Sequence, residues 1–158
     1  MQARLVLADC RVALERAELA VDPAAFRVSW AALVALLRAV GHVLDKVDGR
    51  QSESLRRAID ARWRLWHADR AGNRAYWSFI ESERNNVLTV YDLGYKPDDM
   101  EAEEAHADGT RVIHAEVPFL GQLRAGPFAG QLNVARKALA WWTAELNAIE
   151  AAAREPGP

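Results

Sequence analysis

The 158-residue chain has a single cysteine, Cys10, so no intrachain disulfide framework and no cysteine-ligated metal site can be built from it. It also lacks a long apolar run. The longest, Trp30 to Leu37, ends at Arg38 and falls far short of the ~20 residues that a membrane-crossing helix needs. Arg4, Asp9 and Arg11 interrupt the N-terminal segment, so no signal-peptide apolar region fits there. These absences predict a soluble, cytoplasmic chain with no membrane partner. Net charge is nearly absent too, at −2, which removes bulk electrostatics as a reason to bind nucleic acid and leaves only a local patch open. There is no Gly-rich phosphate loop, no His-Glu-x-x-His and no Gly-x-Ser-x-Gly, so no cofactor and no metal is expected. What the chain does have is 51% hydrophobic residues, enough for a core, and six tryptophans.

Helical periodicity dominates. A first helix over about Ala3–Ala20 carries a weak seam at Leu5, Ala8, Val12 and Leu19. Asp22-Pro23 is an N-cap followed by proline in the first turn, and the second helix then runs to about Val47, with Asp48-Gly49 as its stop. Its seam is Phe26, Trp30, Leu33, Leu37, Val40, Leu44 and Val47, the alternating spacing of a bundle. A third helix covers Ser52 to Asp69 through Leu55, Ile59, Trp63 and Trp66, and a fourth runs from about Arg74 to Tyr91. The last, about Phe128–Ala153, repeats the long seam at Phe128, Leu132, Ala135, Leu139, Trp142, Leu146 and Ile149. The fold expected is an all-α antiparallel bundle of about five helices in a single domain, residues 1–158, ending in a frayed tail at 151–158. An irregular insertion, 92–127, separates the fourth and last helices. It begins with the acidic stretch 92–108, read as a solvated loop, and holds a candidate short strand in Thr110–Val117 that needs a partner.

Within the fourth helix the stripe Trp77, Ile80, Arg84, Val87 and Tyr91 puts one guanidinium in an apolar row. Burying that charge without an anion is costly, so Arg84 needs a partner. Either a carboxylate meets it across the bundle, or it faces a cleft that receives a ligand anion.

The segment Arg84-Asn85-Asn86-Val87-Leu88-Thr89-Val90-Tyr91 resembles the signature of the HEPN superfamily, all-α domains of prokaryotic toxin and defence systems. That pattern runs Arg, often Asn, three residues, His, one residue and sometimes Tyr. Arg84, Asn85 and Tyr91 fall on family positions, and Thr89 stands where the histidine would be. The resemblance implies a homodimer with the motif at its interface and an arginine that holds a scissile phosphate. It also implies RNA or a nucleotide as ligand, and a cognate protein partner. Thr89 does not titrate near neutral pH and cannot move protons as imidazole does, so nuclease activity is expected to be impaired or absent. Arg84, Asn85, Thr89 and Tyr91 are therefore ligand-binding candidates, with no catalytic residue assigned. The alternative is a non-enzymatic dimeric interaction protein whose Arg84 makes a structural ion pair.

His67 on the third helix, His42 on the second, and His106 and His114 in the insertion are the histidines that could substitute for the missing imidazole, His67 foremost, and a lone helical histidine is more often surface or capped core. Residues 50–74 hold seven arginines against Glu53, Asp60 and Asp69, interleaved with Trp63 and Trp66. An Arg/Trp surface suits single-stranded nucleic acid, but the two tryptophans share a stripe with Leu55 and Ile59, which favours core. Trp30, Trp63, Trp66, Trp77 and Trp142 are assigned to seams, and Trp141 alone has an open role.

Overall fold

The computed structural model describes residues 1–81, 103–105, 111–113 and 127–154. The helices are α1 (Gln2–Glu18), α2 (Pro23–Lys46), α3 (Glu53–Ala68), a π-helical α4 (Ala75–Ile80) and α5 (Pro127–Arg154), with a 3-10 turn at Asp48–Arg50. They pack as an all-α bundle in which α1 lies on α2 and α5, and α3 lies on α5. Two short antiparallel strands, β1 (Glu103–Ala105) and β2 (Arg111–Ile113), pair Glu104 with Val112. The strand expected in 110–117 thus finds its partner inside the acidic stretch that the sequence reads as loop.

Two helix starts follow local capping chemistry. Asp22 accepts the Ala25 N–H at 2.8 Å with Pro23 in the first turn, and Ser52 caps α3 through the Leu55 N–H at 3.2 Å. α1 has no such local cap. Its first donors, the N–H groups of Gln2 and Ala3, are taken at 2.7 and 2.9 Å by the fully buried carboxylate of Asp48. Asp48, read from sequence as the stop of α2, is the cap of α1.

The long seams of α2 and α5 form the core. Phe26, Trp30, Leu33, Leu37, Val40 and Leu44 are buried against Leu132, Ala135, Leu139, Trp142, Leu146 and Ile149. Val47, just beyond the end of α2, is exposed. The eight-residue apolar run understates α2: by length and composition Pro23–Arg50 is apolar enough to cross a membrane, and here its seam is the centre of the bundle.

Three seams differ from expectation. In α1 the buried face is Ala3, Leu7, Cys10, Ala13, Leu14 and Ala17, whereas Leu5, Val12 and Leu19 are exposed by 62%, 47% and 65%. Side-chain bulk picked the wrong face because four of the six buried residues are alanines or cysteine, small enough for close helix contact. In α3 Trp63 remains 40% exposed while Leu55, Ile59 and Trp66 are buried. The wider turn of α4 buries Tyr76, Phe79 and Ile80 and leaves Trp77 half-buried, so the stripe predicted through Trp77 is displaced there.

Candidate ligand-binding cleft

Arg84, Asn85, Thr89 and Tyr91 lie outside the described residues, as do His106 and His114. Among the described residues, a cleft of about 350 Å³ lies between α2, α3 and α4. One turn of α2 places Arg38 and His42 on its wall, and α3 contributes Arg56, Asp60, Trp63 and Trp66 from the facing side. Tyr76 of α4 closes the inner end.

The polar centre of this cleft is the pair Arg38 and Tyr76. Arg38 Nη1 donates to the Tyr76 hydroxyl at 2.6 Å, and the guanidinium carbon lies 5.7 Å from the centre of the same ring. No carboxylate among the described residues pairs with Arg38, although its side chain is half-buried. Burial pushes the phenol of Tyr76 above its ordinary value, while the charge and hydrogen bond of Arg38 pull it back and Glu81 adds a smaller upward push. The phenol is therefore neutral at pH 7. Its oxygen accepts from Arg38, and its own proton remains to be donated. The remaining guanidinium donors and one hydroxyl can thus converge on an anion, with His42 exposed one turn along α2.

The other cations of the cleft are already committed. Asp45 receives Lys46 at 2.8 Å and Arg56 at 2.8 Å, and Arg56 also reaches Asp60 at 2.5 Å. Lys46 first and then Arg56 hold the Asp45 carboxyl below its usual range. Gly49 allows the Arg56 guanidinium to lie so close, since a Cβ there would meet Nη1 at 2.7 Å. Among the described residues, Arg38 is thus the cleft cation with spare capacity.

Aromatic rings form the rest of the wall. Trp63 lies 5.6 Å from Trp66 and 5.7 Å from Tyr76, both edge-on, and presents its exposed part to solvent. Trp66 is fixed from behind by its indole N–H, which donates to Glu145 at 2.7 Å. Trp141, whose role the sequence leaves open, packs 5.0 Å from Trp66 and donates to Asn73 Oδ1 at 3.1 Å. His67, the candidate substitute for the motif histidine, is exposed and edge-on to Trp63 and Trp77 at 4.8 and 4.7 Å. Four of the seven arginines of 50–74 are engaged: Arg56 with Asp45 and Asp60, Arg57 with Glu53, Arg62 with Glu145, and Arg70 4.4 Å over Trp77, while Arg50, Arg64 and Arg74 are exposed.

Sequence reasoning missed Arg38 and Tyr76. Arg38 serves there only to end an apolar run, and Tyr76 sits beside the tryptophan taken for the stripe. The available signal was weak: a cation on the shoulder of the α2 seam, four residues before His42. No group of three His, Cys, Asp or Glu side chains suited to a metal occurs among the described residues. The chain matches no protein-family model, no curated protein and no solved structure.

Proposed function

We propose that the chain is a HEPN-like helical domain of a toxin or defence system that binds RNA or a nucleotide, with nuclease activity impaired or absent. The observation that carries the ligand class is Arg38, a half-buried cation with no carboxylate partner among the described residues, set beside a neutral phenol and the open edge of Trp63. An arginine holds phosphate, and an exposed indole stacks a base without regard to sequence. The all-α bundle agrees with the layout that the motif resemblance implies. Arg84, Asn85, Thr89 and Tyr91 remain the proposed motif contacts, and Thr89 is the reason to expect no cleavage.

The test is titration of the protein with a short single-stranded RNA and with a nucleoside monophosphate, read by calorimetry, alongside a cleavage assay on the same RNA. Binding without cleavage is the expected result. Losing a charged hydrogen bond of about 1.5–3 kcal/mol predicts that Arg38→Ala weakens binding roughly tenfold to a hundredfold. Arg84→Ala is expected to act in the same direction. Absence of binding to both ligands would overturn the proposal, and cleavage by the wild type would overturn the role given to Thr89.

A second reading, a dimeric interaction protein whose Arg84 makes a structural ion pair, is favoured by one observation. The outer face of α1 and its C-terminal cap carry Leu5, Val12 and Leu19 in the open.

A further inference from the structure

Leu5 and Val12 of α1 and Leu19, the residue that caps its C-terminus, are seven residues apart, two turns each, and so form one row on the side opposite the buried alanines of α1. With Ala8 between them they have the a/d spacing of a helix-pairing seam. The two flanks of that row differ. On one side Arg4 pairs with Glu150 at 2.9 Å, Arg11 reaches Thr143 at 3.1 Å, and Glu18 pairs with Arg136 at 2.8 Å, so this flank is taken up by α5. On the other side stand Asp9 and Arg16, both exposed and neither in an ion pair among the described residues.

We propose that this face binds the same face of a second copy, the two α1 helices running antiparallel about a two-fold axis at Val12. Leu5 and Leu19 are equidistant from Val12, so an antiparallel copy sets each Leu5 against the other's Leu19 and the two valines against each other. A two-fold axis of this kind brings like flanks together. Asp9 of each copy then stands beside Arg16 of the other, twice, and opposite charges meet at both ends. A parallel pair would instead turn the Asp9/Arg16 flank toward the flank that α5 already occupies, and would leave these charges unmatched. The antiparallel arrangement satisfies both the apolar row and the open charges. Glu15 interrupts the row at its margin and keeps the apolar patch small, so the expected dimer is weak and dissociates on dilution. The inference shares a dimer with the second reading above and needs neither the motif nor the cleft.

The experiment is sedimentation of the full chain over a hundredfold range of concentration. Wild type is expected to shift from monomer to dimer. Val12→Asp is expected to remain monomeric with an unchanged circular-dichroism spectrum. Asp9→Arg and Arg16→Asp alone should each raise the dissociation constant about tenfold, and the double exchange should restore it. For orientation, separately tagged Leu5→Cys and Leu19→Cys chains are mixed and oxidised. An antiparallel pair forms mainly the mixed disulfide, whereas a parallel pair forms the two like ones. A monomer throughout, a dimer indifferent to Val12→Asp, no restoration by the double exchange, or like-with-like crosslinks would each overturn the proposal. A failed RNA titration would leave it standing.

Discussion

Glu145 of α5 and Trp66 of α3 are joined through a hydrogen bond of 2.7 Å from the indole N–H to Oε2, deep enough that both residues are nearly inaccessible. The same carboxylate takes two donors of Arg62, Nε at 2.7 Å and Nη2 at 2.6 Å. One buried acid therefore satisfies three donors and locks α3 to α5, with Trp66 held as the rear wall of the cleft. Removing it by Glu145→Leu leaves a buried indole N–H and a half-buried guanidinium without acceptors. The expected loss is about 3 kcal/mol, the low end for a broken buried pair because Arg62 can regain some water. Glu145→Gln keeps one acceptor and should cost about half as much. Urea unfolding followed by tryptophan fluorescence measures both, and equal stability of Glu145→Leu and wild type would remove Glu145 as the clamp.

Asp48 and the start of α1 give a second prediction. Its buried carboxylate receives Gln2 N, Ala3 N and, at 3.0 Å, Gln51 Nε2. Asp48→Ala orphans these donors at a helix terminus whose partial positive charge favours an anion. A cap contributes about 0.5–2 kcal/mol, and burial puts this one at the upper limit, about 2 kcal/mol. Amide exchange adds a local signature: protection of the first turn of α1 should fall more than protection of α2. Uniform loss across both helices would contradict a capping role.

Gly41 faces the indole of Trp142, and a Cβ there would lie 3.1 Å from Cη2 and 3.3 Å from Cζ2. In an exposed helix, Gly→Ala gains up to about 1 kcal/mol. Here the ring cannot retreat, since Trp142 is fully buried and pinned by its N–H to the Leu37 carbonyl at 3.0 Å. Gly41→Ala is thus expected to destabilise by about 1 kcal/mol net, the overpacking cost exceeding the helix gain. A raised melting temperature would show that the indole yields.

The elements that could be read from the sequence are those whose signals are local. The seams of α2 and α5 are long enough to fix their faces, and Asp22-Pro23 and Ser52 announce helix starts through their own side chains. What escaped depends on distance along the chain. The Asp48 cap spans 46 residues, the face of α1 is set by which helix lies closest rather than by bulk, and the Arg38–Tyr76 pair joins residues 38 apart. Trp63 shows the same limit, because helical spacing puts it on the α3 stripe but does not say where the neighbouring helix ends. Spacing and resemblance alone point to the motif residues Arg84, Asn85, Thr89 and Tyr91.

Cys10 ties stability to alkaline pH. Its thiol is fully buried, and that burial, with a smaller push from Asp9, raises its pKa from 9.0 to about 12. Below pH 9 both folded and unfolded chains carry the proton, and the group makes no pH-dependent difference. Between 9 and 12 the unfolded chain loses the proton while the folded chain keeps it. The folded state then binds more protons, so stability falls as pH rises, by about 1.4 kcal/mol per unit. In Cys10→Ala this slope is absent. The variant should be the less stable at pH 8, where it lacks part of a packed side chain, and wild type should lose about 2 kcal/mol relative to it by pH 10.5. Urea midpoints at both pH values read the difference directly, with the titration of tyrosines and lysines common to the two proteins. Parallel profiles would place Cys10 in contact with water and contradict its burial. The same burial predicts that thiol reagents modify the native chain only as fast as α1 opens.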